Sequence, residues 1–132
     1  MNKMSKKTEY ALMALKLFQD NIGTHSAKDI SDQTHTPYDV IARVLQVLSS
    51  RGILKAEYGV MGGYQLSKNL SDVTLHELIE TLESSTDLTK CLGHDNECDH
   101  AKSCTIVTPI TNLNLKVKNF YKSISLAEVL HV

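Results

Sequence analysis

The sequence predicts a mainly α-helical chain with a small β-hairpin: a winged helix-turn-helix plus a long C-terminal dimerisation helix. Three observations carry this. Helix-start signals at Ser5, Ser26 and Thr36-Pro37 open three short stretches of helical periodicity before residue 52. After Gly52 the period changes, and two strand-like runs, Ile53 to Tyr58 and Tyr64 to Ser67, flank the glycine-rich tip Gly59-Val60-Met61-Gly62-Gly63. Further on, Ile106, Ile110, Leu113, Val117, Phe120 and Ile124 recur at alternating four- and three-residue steps, which is an a/d seam.

Taken in order, Ser5 caps a first helix of about residues 6–20, with Leu12, Leu15 and Phe18 on its apolar face. Glu9 lies in its first turn, where the helix dipole favours a carboxylate, and Gly23 ends the element. Ser26-Ala-Lys-Asp29 opens a short helix near 27–33. Thr36-Pro37 reads as an N-cap followed by proline at the first helical position, and the third helix runs to about Ser50 and stops at Gly52 in a left-handed cap. Val40, Ile41, Val44, Leu45 and Leu48 form its buried stripe. Tyr38, Asp39, Ala42, Arg43, Gln46 and Ser50 form the opposite face, where Arg and Gln can reach base edges in a major groove. A plain solvated face has the same composition.

Thr74-Leu-His-Glu77 is a capping box for a helix over about 75–84, with Leu75, Leu78, Ile79 and Leu82 inward. The long helix begins between Thr105 and Pro109, because proline deeper inside would clash with a carbonyl. Nothing helical of comparable length remains to lie against its seam. The seam therefore predicts a homodimer interface through Ile110, Leu113, Val117, Phe120 and Ile124. Ser125-Leu-Ala-Glu128 opens a short tail helix through Leu130. The expected division is residues 1–68 as the winged helix-turn-helix, 69–90 as a connecting helix, 91–104 as a cysteine loop, and 105–132 as the dimerisation helix and its tail.

A length of 132 residues suits one domain with a modest core and an appended element. No apolar run approaches a membrane span, and the start, MNKMSKKTEY, lacks a signal-peptide apolar region. With unpaired cysteines, that predicts the reducing cytoplasm and no membrane partner. Residues 1–68 hold nine Lys/Arg against six Asp/Glu, whereas residues 69–132 hold five against nine. A mildly basic front and an acidic back fit a nucleic-acid reader joined to a sensing or assembly half.

All three cysteines, Cys91, Cys98 and Cys104, fall within fourteen residues in a C-x₆-C-x₅-C arrangement. The intervening Gly93, Asp95, Asn96, Asp99 and Lys102 carry no helical or strand period, so the stretch reads as a polar loop. Three thiols cannot pair off as disulfides, and free cysteine favours apolar cores, so thiols gathered in a polar loop read as metal ligands. Iron–sulfur clusters are held mainly by thiolates. Zinc is the other metal reading, with His94 or His100 completing the set, but the C-x₂-C spacing of zinc knuckles is absent. Unrelated surface cysteines are the plain alternative.

Several stretches together resemble the iron–sulfur winged-helix transcription regulators of the Rrf-two family (IscR-, NsrR- and RirA-like), nearest the NsrR-like branch. They are Thr8-Glu9-Tyr10-Ala11-Leu12, Leu45 to Gly52, Gly62-Gly63-Tyr64-Gln65-Leu66, the cysteine loop, and Ser125-Leu126-Ala127-Glu128. The resemblance spans nearly the whole chain and rests on order and spacing. It implies a homodimer that binds an operator in double-stranded DNA and carries a [2Fe-2S] or [4Fe-4S] cluster on Cys91, Cys98 and Cys104. In the assembly-regulator branch a histidine stands three residues after the last cysteine; here that place is Val107, which cannot ligate. In the nitric-oxide-sensing branch an acidic residue of the first helix reaches over from the other subunit, and the matching position is Glu9. Glu9 is thus the expected fourth ligand, with His94 or His100 as fallback. The first cysteine gap is x₆ where x₅ is common. The family's wing often carries an arginine, but here Glu57 and Tyr58 stand at the base of the tip.

The resulting expectation is a regulator, most simply a repressor, that senses nitric oxide, redox or iron status. Arg43 and Gln46 would read bases beside Tyr38, Asp39, Ala42 and Tyr58, while Lys6, Lys28 and Lys55 would contact phosphates. One rival keeps the reader but replaces the cluster with a direct thiol or zinc switch. Another, suggested by the acidic wing, is a protein-interaction domain that has lost DNA binding. An enzyme is not expected, since no nucleophile–base pairing or phosphate loop stands out.

Overall fold

Side-chain caps set where most of the helices begin. In the computed structural model, which describes residues 4–83 and 105–131, Ser5 Oγ accepts the Thr8 N–H and starts α1 (Lys6–Asp20). Ser26 Oγ accepts the Asp29 N–H and starts α2 (Ala27–Thr34). The third helix, α3 (Tyr38–Ser50), begins differently from expectation. Pro37 itself is the N-cap, its carbonyl accepting the Ile41 N–H at 3.0 Å, and Thr36 does not cap. The Thr36 hydroxyl is engaged with Thr34 Oγ1 at 2.8 Å instead, and Ser31 Oγ donates to the Thr36 carbonyl at 2.6 Å. These bonds knit the turn between α2 and α3, where His35 adopts the left-handed conformation (φ 55°) that ends α2.

At its far end α3 closes as expected. Gly52 is left-handed (φ 78°), its N–H donates to the Ser49 carbonyl, and the Ile53 N–H donates to the Leu48 carbonyl, each at 3.0 Å. That is a Schellman motif, and the accompanying apolar contact is between fully buried Leu48 and Ile53. Strands β1 (Leu54–Glu57) and β2 (Gly63–Leu66) pair antiparallel in the register Leu54↔Leu66 to Glu57↔Gly63. His25 joins this hairpin through two backbone bonds with Tyr64, 2.9 and 2.8 Å long. Gly63 is required there: a side chain would collide with the His25 carbonyl, and its φ of 157° is rarely adopted by other residues.

A single 3₁₀ turn (Leu70–Asp72), not foreseen from sequence, leads into α4 (Leu75–Glu83), whose first turn is capped by Thr74 Oγ1 accepting the Glu77 N–H. The Glu77 carboxylate lies 3.5 Å from Lys68 Nζ. Helix α5 (Val107–Ser123) carries Pro109 in its first turn, and α6 (Leu126–Leu130) starts with both limbs of the Ser125–Glu128 capping box formed. Two backbone bonds tie α6 back to the front of the molecule: Leu75 N–H to the Ile124 carbonyl at 3.0 Å and Leu126 N–H to the Val73 carbonyl at 2.8 Å.

The core gathers Leu15 and Phe18 of α1, Ile30 of α2, Ile41, Leu45 and Leu48 of α3, Leu78 and Ile79 of α4, and Leu126 of α6. Each such side chain, fully removed from water, contributes about 1.5–3 kcal/mol. The fold is therefore a three-helix unit with a wing, sealed by α4 and α6, with α5 packed against α4 and touching the core through Tyr121. The expected mainly helical winged helix-turn-helix with a long C-terminal helix is what forms.

Candidate nucleic-acid interface

Burying Ile41, Val44, Leu45 and Leu48 turns the other side of α3 outward by the 3.6-residue period. Tyr38, Asp39, Arg43 and Gln46 are exposed there, and Ala42 is half-buried at the edge. Asp39 sits in the first turn, where the dipole favours its charge. Among the described residues Arg43 makes no ion pair, so its guanidinium is available to a base edge or phosphate. It overlooks a cavity of about 330 Å³ that Lys7 of α1, Val40 and Val47 of α3, and Thr81 and Leu82 of α4 also line.

The three lysines expected at phosphates are exposed, and each has a carboxylate partner. Lys6 Nζ lies 3.0 Å from Glu9, Lys28 Nζ 3.9 Å from Asp32, and Lys55 Nζ 3.8 Å from Glu57. Solvent-screened pairs of this kind are weak and exchange readily for a phosphate. The wing carboxylate, Glu57, also accepts a hydrogen bond from Gln65 Nε2 at 2.8 Å, which holds it against the neighbouring strand. Tyr58 stands fully out in solvent beside it.

Of the expected cluster ligands, Cys91, Cys98 and Cys104, and the fallbacks His94 and His100, lie outside the described residues. Glu9 is described: it is partly exposed in the first turn of α1, and its Oε2 accepts from Lys6. That hydrogen bond first, then the Glu9 charge and a smaller contribution from Tyr10, push the Lys6 ammonium above its ordinary range. Among the described residues, no three of His, Cys, Asp and Glu converge as a cation site.

Sequence reasoning missed a link beside Glu9. Thr8 is fully buried, and its hydroxyl donates to Glu83 Oε2 at 2.6 Å, joining the start of α1 to the last residue of α4 across 75 positions. No local signal announces a contact between residues so far apart in the chain.

The expected dimer seam is outward. Leu113 and Phe120 are 48% and 57% exposed, and Ile110 and Val117 are intermediate. Only Asn114 of α5 is buried among the described residues. Ile124, the last member of the expected seam, sits one residue past the helix in extended backbone and packs partly against the chain's own core.

A helix-turn-helix whose second helix presents Arg43, unpaired among the described residues, followed by a wing, is the architecture of DNA-binding transcription regulators. The chain matches the Rrf2 family, described as "Iron-dependent Transcriptional regulator", over residues 4–132, and belongs to that family. It is 26% identical to the HTH-type transcriptional regulator IscR of Vibrio atlanticus over 97% of this chain and 75% of that one. Its fold is similar to that of CymR, the global cysteine regulator of B. subtilis, with a TM-score of 0.73 at 23% identity, covering 98% and 97% of the two chains. It is also similar to the oxidised form of Staphylococcus aureus CymR, with a TM-score of 0.69 at 19% identity, covering 98% and 97%. No helix among the described residues is long and apolar enough to cross a membrane.

Proposed function

We propose that the chain is a cytoplasmic repressor that acts as a homodimer on a near-palindromic operator in double-stranded DNA. The observation that carries this is the outward face of α3, with Asp39, Arg43 and Gln46 clear of the core, in a chain of the Rrf2 family. Arg43 and Gln46 offer donors to base edges, Tyr38, Asp39 and Ala42 shape the approach, and Lys6, Lys28 and Lys55 exchange their carboxylates for phosphates. The exposed apolar side chains of α5 supply the dimer contact, which sets two reading heads about one helical turn of DNA apart. Residues 1–68 are the reader, 69–90 the connection, 91–104 the sensor loop and 105–132 the assembly element.

In this proposal the sensor is an iron–sulfur cluster on Cys91, Cys98 and Cys104, completed by Glu9 of the partner subunit. The donor set suits one: three thiols and a partly exposed carboxylate whose Oε1 has no hydrogen-bond partner among the described residues. Held by these residues, a cluster would supply iron able to react with nitric oxide or oxygen. The protein's part would be to gather the thiols and to present Glu9 from the first turn of α1. Anaerobic purification with iron and sulfide counts, a visible spectrum before and after nitric oxide, and operator binding across a salt series test the proposal together. A coloured protein that responds to nitric oxide and binds salt-sensitively is expected; a colourless protein that resists reconstitution would overturn the cluster. A second reading, a direct thiol switch at the same cysteines, is favoured by the fold shared with the oxidised form of CymR. Reversible thiol oxidation altering DNA affinity without iron would establish it.

A further inference from the structure

The cavity beside α3 carries chemistry that base reading leaves unused. Its wall follows from the sequence of the helix. Val40, Val44 and Val47 recur at steps of four and three, so they share one stripe of α3, and Leu82 of α4 adds to the apolar lining. Val44 is buried, whereas Val40, Val47 and Leu82 are half-buried, which leaves part of this wall to water. Valine is stiff at χ1, so these side chains do not swing inward to fill the space. Charged groups border the wall. Asp39 and Arg43 each stand one residue before a wall valine, on the neighbouring solvent-facing stripe of α3, and Lys7 of α1 joins them in the lining. Asp39 and Arg43 are one turn apart, a spacing at which opposite charges can pair. Neither they nor Lys7 makes an ion pair among the described residues. The Thr81 hydroxyl already donates to the Glu77 carbonyl at 2.7 Å, so Lys7 and Arg43 are the free side-chain donors of the lining.

We propose that this cavity binds a small organic monocarboxylate with an apolar body, and that the bound acid withdraws Arg43 from DNA. Size supports it: about 330 Å³ lies at the lower end of the range of small-molecule sites. Charge supports it too. Two cations and one carboxylate leave a single net positive charge in the lining, which one ligand carboxylate neutralises. A second anionic group on the ligand would meet Asp39. Polarity fixes the orientation, with the carboxylate at the charged stripe and the apolar body against the valines. The second half of the proposal rests on the reading of α3 as the DNA-facing helix. One guanidinium cannot serve a base edge and a carboxylate at once, so acid and operator weaken each other's binding by the same factor.

The test uses the full chain, purified anaerobically, with butyrate, pentanoate and hexanoate as probes and hexanol and hexylamine as controls. In calorimetry at constant ionic strength, affinity should rise roughly fourfold per added methylene, the scale of one buried CH₂. Hexanol should bind roughly tenfold more weakly than hexanoate, having lost the charge-assisted bonds, and hexylamine should not bind. Lys7→Gln, at an exposed position, should weaken hexanoate but not hexanol. Fluorescence anisotropy then follows a duplex selected by wild type from a random-sequence pool. Hexanoate should lower wild-type affinity for it at constant ionic strength, which removes the effect of added salt. Val47→Phe, which fills the cavity from a residue outside the reading face, should bind the duplex as wild type does and ignore hexanoate. Three results would overturn the site: no acid binds wild type, hexylamine binds as tightly as hexanoate, or Lys7→Gln and Val47→Phe both keep wild-type hexanoate affinity. Hexanoate binding that leaves duplex affinity unchanged would overturn the competition. Wild type binding no duplex at all would instead overturn the α3 reading, and the calorimetry would still decide the cavity.

Discussion

Helix α3 buries Ile41, Val44, Leu45 and Leu48 in its own domain, whereas the longer α5 buries only Asn114 among the described residues. The two helices are thus stabilised from different sources. α3 is capped by a Schellman turn and wedged among α1, α2 and α4, so its outward face is held in position whether or not DNA is present. α5 carries Leu113, Leu115 and Phe120 largely in water, and an isolated helix of its length is marginal. What the comparison teaches is a division of labour. The reading surface is preorganised by one chain, and the assembly surface gains its burial from a second copy, as proposed above.

Substitutions can break or sharpen this contrast. Leu45→Ala, in the fully buried stripe of α3, should cost about 2–5 kcal/mol, read from urea unfolding. Phe120→Glu should leave the core of the reading unit intact but weaken the dimer by about 2 kcal/mol or more, roughly thirtyfold, in sedimentation equilibrium. If Phe120→Glu instead lowered the melting temperature of a persistent dimer, α5 would belong to the chain's own core and the contrast would collapse. Thr8→Val removes the donor to Glu83 and should cost about 1 kcal/mol, since the carboxylate can turn to water, with the loss appearing in thermal unfolding. Ser125→Ala, which breaks one limb of the capping box, should cost about 0.5–1 kcal/mol and raise hydrogen exchange at the Glu128 amide while sparing α3. Uniform loss of protection across both helices would show that α6 stabilises the whole chain.

How far the fold could be read from sequence depended on the distance over which each signal acts. Ser5, Ser26 and Ser125 cap within three residues of themselves, and each forms the bond their spacing predicts. Gly52 announces a left-handed stop, and that stop is present. Thr36 misled because a neighbouring hydroxyl, Thr34, competes for it, leaving Pro37 to begin α3. The 3₁₀ turn at Leu70–Asp72 rests on the Asn69 side chain accepting from Ser71, a signal two residues long and easily read as plain loop. Contacts between distant residues, Thr8 with Glu83 and His25 with Tyr64, had no local signature at all. The exposed face of α3 was legible through its period, but the carboxylate partners of Lys6, Lys28 and Lys55 emerge only with the side chains in place.

The return of the chain after α5 has a mechanical consequence. Because Ile124 and Leu126 are bonded to Leu75 and Val73, the C-terminal end of α5 is clamped to the strand of chain that enters α4. A helix of 17 residues is a beam of about 25 Å. Anchored at its C-terminal end and packed against α4, with Asn114 buried midway, it is placed to pass a displacement at its start on to α4. Helix α4 in turn carries Glu83, which accepts the Thr8 hydroxyl at the start of α1 beside Glu9.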